Sequence, residues 1–222
     1  MQYRKQALET GEFYHIYTRS IAKYEIFQNE SDYHRLKKLL SLCRLKEFKY
    51  KYSFFNRLIP STQDRILKTI SGELKLVQII SYCIMPTHLH LILKQNEKDG
   101  ISKYMSRVLN CYSRYFNSKY SRTGPLWSGR FKNNLVNTTE QLLHLTRYVH
   151  LNPCSANIVN KPEDWGHSSY CEYVEAEPDR ICDYSGLFEI DPENYREFVC
   201  DRISFQRELS KIKKILIEGY SG

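Results

Sequence analysis

Apolar positions alternate with polar ones over several short segments of this chain and recur every three or four residues over longer ones. Alternation is typical of a strand with one buried face, and the longer spacing is typical of a helix packed on one side. Residues 49–75 have no clear pattern, so a loop and a short inserted helix both remain open. The pattern predicts strands over 12–19, 76–84, 88–93 and 130–136, and helices over 33–48, 101–120 and 139–152.

Local signals set the boundaries of these elements. Pro86-Thr87 interrupts the apolar run and predicts a hairpin between the second and third strands. Thr138 and Gln141 have the spacing of a capping box at the start of the last of these helices, and Pro153 is expected to end that helix at about Asn152. One further helix is predicted from about residue 194 to about residue 217.

The order of these elements predicts the fold class. Strand, helix, strand, strand, helix and strand form the split pattern of a ferredoxin-like domain. We therefore expect an α+β protein, a ferredoxin-like βαββαβ sandwich with an antiparallel sheet and an extra C-terminal helical region. Residues 1–159 are predicted to form the main domain, and residues 160–222 an acidic, partly helical extension.

Two histidines stand at alternate positions where the third strand begins, in the run His88-Leu89-His90. Side chains on a strand alternate between its faces, so both imidazoles are expected on one side and Leu89 on the other. Paired imidazoles on a rigid strand are a platform for a metal ion. A pair of exposed or buried structural histidines explains the spacing too, because most tight metal sites have three or more ligands.

A second group of polar side chains lies on the helix predicted over 139–152. His144, Tyr148 and Asn152 follow one another at four-residue spacing and therefore share a stripe. A tyrosine on such a helix usually packs in a core, which is the simpler interpretation of Tyr148. With His88 and His90 nearby, the amide oxygen of Asn152 would be a third metal ligand. Mixed nitrogen and oxygen ligands favour Mg²⁺ or Mn²⁺.

Positive charge is concentrated in the first part of the chain. The net charge is +8, with +14 on residues 1–159 and −6 on residues 160–222. Residues 101–139 contain no acidic residue, but seven Lys or Arg and seven aromatic residues. Cations bind phosphates and aromatic rings stack on unpaired bases, although some of these rings are expected in the core. The predicted DNA-binding residues are Lys103, Arg107, Arg114, Lys119, Arg122, Trp127, Arg130 and Lys132.

Composition narrows the class of protein further. The hydrophobic fraction of 41% is sufficient for a buried core, and no apolar run reaches the length of about 18 residues that a membrane helix needs. No secretory signal is recognised at the N-terminus. The seven cysteines are scattered and include no Cys-x-x-Cys pair, so a reduced cytoplasmic protein without membrane contact is expected.

Several motifs together resemble a known family. Pro86-Thr87-His88-Leu89-His90-Leu91 resembles the His-hydrophobe-His motif of the HUH single-tyrosine transposases. The branch associated with repetitive extragenic palindromes (REP) is resembled by the following runs: Tyr115-Phe116-Asn117, Gly124-Pro125-Leu126-Trp127, Arg130-Phe131-Lys132, Arg147-Tyr148-Val149-His150-Leu151-Asn152-Pro153, Trp165 and Ser168-Ser169-Tyr170. The likeness extends over roughly residues 10–173.

This resemblance implies a nuclease that cuts single-stranded DNA, often beside a hairpin. It implies His88 and His90 as ligands of Mg²⁺ or Mn²⁺, Tyr148 as the nucleophile, Asn152 as an amide ligand and His144 close to the site. Attack by Tyr148 would give a 5′-phosphotyrosine that a 3′-hydroxyl can reverse, which is cleavage and transfer rather than hydrolysis. Homodimer formation stays open, as do a phosphodiesterase or RNase that uses water and a non-catalytic nucleic-acid-binding regulator.

Overall fold

The computed structural model describes residues 7–71, 74–175 and 180–218, and its centre is one four-stranded sheet. The strands lie in the order β2-β3-β1-β4, and each neighbouring pair is antiparallel. This order is the one that a split βαββαβ unit produces, so the predicted fold class is confirmed. The strands are β1 (Phe13–Arg19), β2 (Val77–Met85), β3 (His88–Gln95) and β4 (Lys132–Val136).

Helices connect the strands and continue after the sheet. The predicted helices of the βαββαβ unit are α1 and α4, and the helix predicted after the last strand is α5. The segment 49–75, which had no clear pattern, contains two short helices that pack around Phe48 and Phe55. The bounds are α1 (Glu30–Cys43), α2 (Tyr52–Phe55), α3 (Pro60–Ser71), α4 (Gly100–Lys119), α5 (Thr139–Ser155), α6 (Tyr170–Val174), α7 (Pro192–Cys200) and α8 (Ile203–Glu218).

Both faces of the sheet are covered by helices. On one face Ile16, Leu89 and Leu91 pack with apolar residues of α1 and α4. On the other face Ile92 packs with Val149 of α5. Because strand residues alternate between faces, the histidines at 88 and 90 share the α5 face with Ile92. The alternation that predicted the strand therefore also decides which helix the histidines meet.

The tip of the β2–β3 hairpin is fixed to the segment that follows β1. The carbonyl oxygen of Thr87 accepts a hydrogen bond from the Ser20 amide at 2.8 Å, and that of Pro86 accepts one from the Ile26 amide at 2.9 Å. These bonds hold the start of β3, where His88 lies, against the end of β1. The predicted hairpin and its Pro86-Thr87 turn are confirmed.

The chain beyond residue 160 covers the free edge of β2. The Ile84 amide donates to the carbonyl of His167 at 2.9 Å, and the Ser169 amide donates to the carbonyl of Tyr82 at 2.9 Å. The buried carboxylate of Glu172 accepts hydrogen bonds from the Tyr82 hydroxyl and from the Ile181 amide. An edge strand with unpaired backbone groups tends to pair with other chains, and this segment occupies those groups instead.

The single C-terminal helix predicted from about 194 to about 217 is wrong, because the structure has two helices with Asp201 and Arg202 between them. The two helices dock on different parts of α5. Tyr195 of α7 contacts its middle through His150, whereas Arg207 of α8 donates to the Cys154 carbonyl at its end. Among the described helices, none is long and apolar enough to cross a bilayer.

Candidate active site

The paired histidines of β3 meet side chains of β1 on the α5 face of the sheet. His90 lies opposite Tyr17 in the strand register, and His88 lies opposite Arg19. The ring centroids of His88 and His90 are 5.2 Å apart, with the rings nearly perpendicular. His90 is 8% exposed and His88 is partly exposed, so the pair lies at the border of the core rather than on an open surface.

A third histidine, His15 of β1, joins the pair although the sequence did not single it out. His15 Nε2 and His90 Nδ1 are 2.9 Å apart, so one ring donates its N–H and the other accepts. The two rings are stacked with centroids 5.2 Å apart. The run His15-Ile16-Tyr17 has the same alternation as His88-Leu89-His90, but only the β1–β3 register brings the two runs together.

All three imidazoles are held in the neutral form by burial. Burial lowers the pKa of His15 to about 4. Burial, and then the charge of Arg19, lowers the pKa of His88 to about 4. Burial and the neighbouring His15 and His88 lower the pKa of His90 well below its usual value. A neutral imidazole keeps a lone pair, which is the form that binds a metal ion.

Tyr148 of α5 reaches the histidines, as the resemblance implied. Its ring lies edge-on to His90 with centroids 5.9 Å apart, and edge-on to His15 with centroids 6.0 Å apart. The side chain is half-buried, and burial raises the pKa of its phenol, with smaller contributions from Tyr17 and Cys83. The phenol is therefore protonated at neutral pH, and its oxygen needs nearby positive charge to act as a nucleophile.

The helix that carries Tyr148 does not end where it was predicted to end. The expectation that Pro153 stops α5 at about Asn152 is wrong, because α5 includes Pro153 and continues to Ser155. Proline has no N–H for the carbonyl four residues earlier, which belongs to Val149. The side-chain amide of Asn152 donates to that carbonyl at 3.3 Å and to the Tyr148 carbonyl at 2.9 Å, so it compensates for the missing bond.

The start of α5 follows the predicted capping box in one half. Thr138 Oγ1 accepts a hydrogen bond from the Gln141 amide at 3.0 Å, as expected. The return bond from the Gln141 side chain goes to the amide of Asn137, at 2.8 Å, rather than to Thr138 itself. His144, one turn before Tyr148, is exposed and contacts Arg147 and Phe198. The described contacts do not bring His144 to the paired histidines.

A cleft of about 400 Å³ opens beside the histidines, and its walls carry positive charge. Of the predicted DNA-binding residues, Arg130 and Lys132 line it. Arg19 and Lys23 line it too, and the sequence gave no reason to choose them because they follow β1 rather than lie in the basic stretch. The remaining lining residues are Tyr17, Thr18, Thr87, His88, His90 and Ser128.

The other predicted DNA-binding residues lie on or near α4, which packs on the opposite face of the sheet. Several of them bind their own chain. Arg107 donates to the Leu45 and Lys46 carbonyls, and the indole of Trp127 donates to the Leu109 carbonyl. The same holds for Lys103 with Glu97, Arg114 with the Asn110 carbonyl, Lys119 with Asp32, and Arg122 with Asn117. The basic stretch is therefore divided between two surfaces.

The donor atoms beside the cleft suit a divalent ion bound with few protein ligands. His88 Nδ1 lies 3.0 Å from the Thr87 hydroxyl and His90 Nδ1 contacts His15, so when each Nδ1 donates, each Nε2 carries the free lone pair. Among the described residues, no group of three or more His, Cys, Asp or Glu forms a metal site. Mg²⁺ usually keeps several waters and binds substrate phosphates, so two imidazoles fit such an ion.

A ferredoxin-like sheet that brings paired histidines and a helix-borne tyrosine together is the arrangement that the single-tyrosine transposases imply. Residues 45–152 match the family model of the IS200-like transposases. A Haemophilus influenzae protein named as a REP-associated tyrosine transposase is 29% identical over 111 residues, which is 45% of this chain and 62% of that protein. The resemblance to this family is therefore confirmed.

A solved structure supports the same fold. It is the structure of a REP-associated tyrosine transposase bound to a REP hairpin, and it covers 86% of this chain and 94% of its own chain, with a TM-score of 0.52. The sequence identity is 14%, so this likeness concerns the fold alone. The match to the Haemophilus protein spans less than two thirds of that protein's length.

Proposed function

We propose that this protein is a metal-dependent single-stranded DNA endonuclease and strand transferase of the REP-associated tyrosine transposase type. The observation that carries the proposal is the contact between the Tyr148 ring and the rings of His90 and His15, next to a cleft lined by four cations. A structural tyrosine in a core has no need of such neighbours. A nucleophile for a phosphodiester needs them, because charge builds up on the phosphate during attack.

The reaction follows from the groups at the site. The Tyr148 oxygen attacks the scissile phosphorus, the bond from phosphorus to the 3′-oxygen breaks, and a 5′-phosphotyrosine forms. The phenol loses one proton and the departing 3′-oxygen gains one. Arg19, Lys23, Arg130 and Lys132 bind the flanking phosphates. The phosphotyrosine has a phosphodiester linkage like the one that was cut, so a 3′-hydroxyl can attack it and join strands.

His88 and His90, with the Asn152 oxygen as the predicted third ligand, would hold Mg²⁺ or Mn²⁺. Such an ion supplies positive charge and orientation for the reacting phosphate when it is bound. The chain prepares the site by holding the two imidazoles neutral and side by side. The Asn152 side-chain nitrogen is committed to its own helix, so its oxygen is the atom left for a ligand role.

The substrate that we propose is DNA with a hairpin next to a single-stranded segment. Two observations support this choice. The fold resembles that of a transposase bound to a REP hairpin, and the cations of the cleft are exposed side chains suited to a polyanion. The DNA sequence that is recognised does not follow from these observations.

The test is covalent capture of DNA by the protein. The wild-type chain, incubated with Mn²⁺ and an end-labelled single-stranded hairpin oligonucleotide, is expected to give a labelled band that survives denaturation. Tyr148→Phe should abolish this band. Tyr17→Phe is the matched control, because Tyr17 also lines the cleft: the adduct should still form, and peptide mapping should locate it at Tyr148.

The other outcomes identify the competing functions. Metal-dependent cutting with no covalent band would mean that water is the nucleophile, as in a phosphodiesterase or RNase. DNA binding without cutting that is unchanged by EDTA and by His88→Ala would mean a non-catalytic regulator. An adduct that persists in Tyr148→Phe would remove Tyr148 from the role proposed for it.

A further inference from the structure

A second cleft, of about 550 Å³, lies between α1, α2 and α4, on the face of the sheet opposite Tyr148. We call it the α1–α4 groove. Among the described residues that line it, four carry positive charge and none carries a carboxylate. The cations and the two tyrosines beside them are Arg35, Lys51, Arg114, Lys119, Tyr52 and Tyr115.

Arg35 is held in place by aromatic rings on both sides. Its guanidinium carbon lies 4.3 Å from the centroid of the Tyr52 ring and 4.4 Å from that of Tyr115. The rings are fixed in turn, because the Tyr52 hydroxyl donates to Asn56 at 3.3 Å and the Tyr115 hydroxyl donates to the buried Asp32 at 2.9 Å. Stacking orients a guanidinium but uses none of its five N–H donors.

The donors of Arg35 have no hydrogen-bond or ion-pair partner among the described contacts. Lys119 differs, because its ammonium lies 2.6 Å from Asp32 and is neutralised there. Arg114 uses its Nε to bind the Asn110 carbonyl, and Lys51 is exposed. The groove therefore offers three cations without an acidic partner, one of which is already oriented. Such an arrangement is suited to an anion with several charges.

We propose that the α1–α4 groove binds the phosphodiester backbone of a nucleic acid, separately from the histidine cleft. A chain of phosphates fits better than one phosphate ion because the cations come from three different helical segments and an adjoining cleft, lined by His34, Arg35 and Asn56, extends the groove. The groove and the Tyr148 site lie on opposite faces of the sheet. This proposal does not depend on the chemistry of Tyr148.

Cys111 provides a local reporter, because its partly exposed thiol lines the groove. The hydrogen bond from Cys43, helped by the charges of Arg114 and Arg107, lowers the pKa of Cys111 to about 6, so it is a reactive thiolate at neutral pH. Cys200 is partly exposed on α7 and is the internal control. In Tyr148→Phe protein, a single-stranded oligonucleotide should slow iodoacetamide labelling of Cys111 but not of Cys200, as measured by mass spectrometry.

Charge removal is the second test, with binding measured by fluorescence anisotropy over a range of salt concentrations. The Arg35→Gln/Lys51→Gln protein should bind oligonucleotides of different sequence more weakly, and the slope of log affinity against log salt should fall by about 1.4, at about 0.7 per phosphate contact. Arg57→Gln/Lys98→Gln removes two exposed cations outside the groove and should leave the slope unchanged. Circular dichroism checks that the variants are folded.

Each outcome supports or overturns the proposal. Equal labelling of Cys111 with and without oligonucleotide, or a slope equal to that of the control variant, would overturn it. Polyglutamate that protects Cys111 at lower charge concentration than the oligonucleotide would mean that an acidic peptide is the ligand instead. Both tests work in protein that lacks the Tyr148 hydroxyl, so their failure is distinct from a failure of the proposed cleavage reaction.

Discussion

At the scale of single residues, the site depends on which nitrogen of each imidazole is left free. A neutral histidine has one donor and one acceptor nitrogen, and the partner of the first decides the role of the second. His15 is the partner of His90, and Thr87 is the partner of His88. A histidine outside the recognised motif therefore orients a residue inside it. Such supporting partners usually affect metal affinity almost as much as the ligands do.

His15→Phe is the prediction that follows. The phenyl ring keeps the packing against Tyr148 but cannot hydrogen-bond to His90, so the ring of His90 can rotate and change tautomer. We expect the affinity for Mn²⁺ to fall by about 10- to 100-fold, measured by isothermal titration calorimetry. His144→Phe, an exposed histidine on α5, is the control and should bind Mn²⁺ as the wild type does. Equal affinities in all three proteins would remove His15 from this role.

At the scale of whole elements, the sequence predicted those parts whose signal is local. Alternation predicted β1, β2 and β3, and Pro86-Thr87 predicted the turn between β2 and β3. The split of the C-terminal segment into α7 and α8 was missed because it depends on where each helix docks on α5. The continuation of α5 through Pro153 was missed because a side chain, that of Asn152, supplies the donor that the proline lacks.

The candidate site was predictable to the same extent. His88 and His90 stand out in one strand, and the resemblance added Tyr148. His15, Arg19 and Lys23 could not be found, because their place in the site follows from the pairing of β1 with β3 and of the hairpin tip with the segment after β1. That pairing brings together residues about 70 positions apart in the chain, and no local pattern encodes it.

A buried histidine joins the elements behind the tyrosine helix. His150 of α5 contacts the Tyr195 hydroxyl of α7 through Nδ1 and the Ser169 hydroxyl through Nε2, both at 2.8 Å. Tyr195 in turn donates to Thr146 at 2.9 Å. Burial lowers the pKa of His150 to about 3, so the ring stays neutral in the folded protein at pH values where it is protonated in the unfolded chain.

The sign of the pH effect follows directly. Above pH 6.5 the ring is neutral in both states, and its full contribution to stability is present. As the pH falls from 6.5 toward 3, only the unfolded chain binds the proton, so stability is lost, by about 3 kcal/mol at pH 4. His150→Gln cannot be protonated. Its free energy of unfolding in urea should fall less between pH 7 and pH 4 than that of the wild type, and parallel curves would contradict this account.

At the scale of the whole molecule, the sheet separates two basic surfaces. The histidine cleft lies on the α5 face, and the α1–α4 groove lies on the other. The segment beyond residue 160 closes the edge of β2 and thereby reduces the surface available for strand pairing with another copy. The polyanion that the charge of residues 1–159 predicts thus has two separate places to bind on one chain. Activity, by contrast, is confined to the face where Tyr148 lies.

Tyr148 and the histidines meet within one chain, which predicts that each chain cuts with its own tyrosine. Only Asn137 and Thr138 connect β4 to α5, and Leu142 and Val149 of α5 are buried against the sheet. Moving α5 to a neighbouring copy would expose this apolar surface. A mixture of His88→Ala/His90→Ala protein with Tyr148→Phe protein should therefore form no covalent DNA adduct, whereas wild-type protein diluted to the same site concentration should. An adduct in the mixture, mapped to the chain that has Tyr148 but lacks the histidines, would mean that the tyrosine acts on a partner's site.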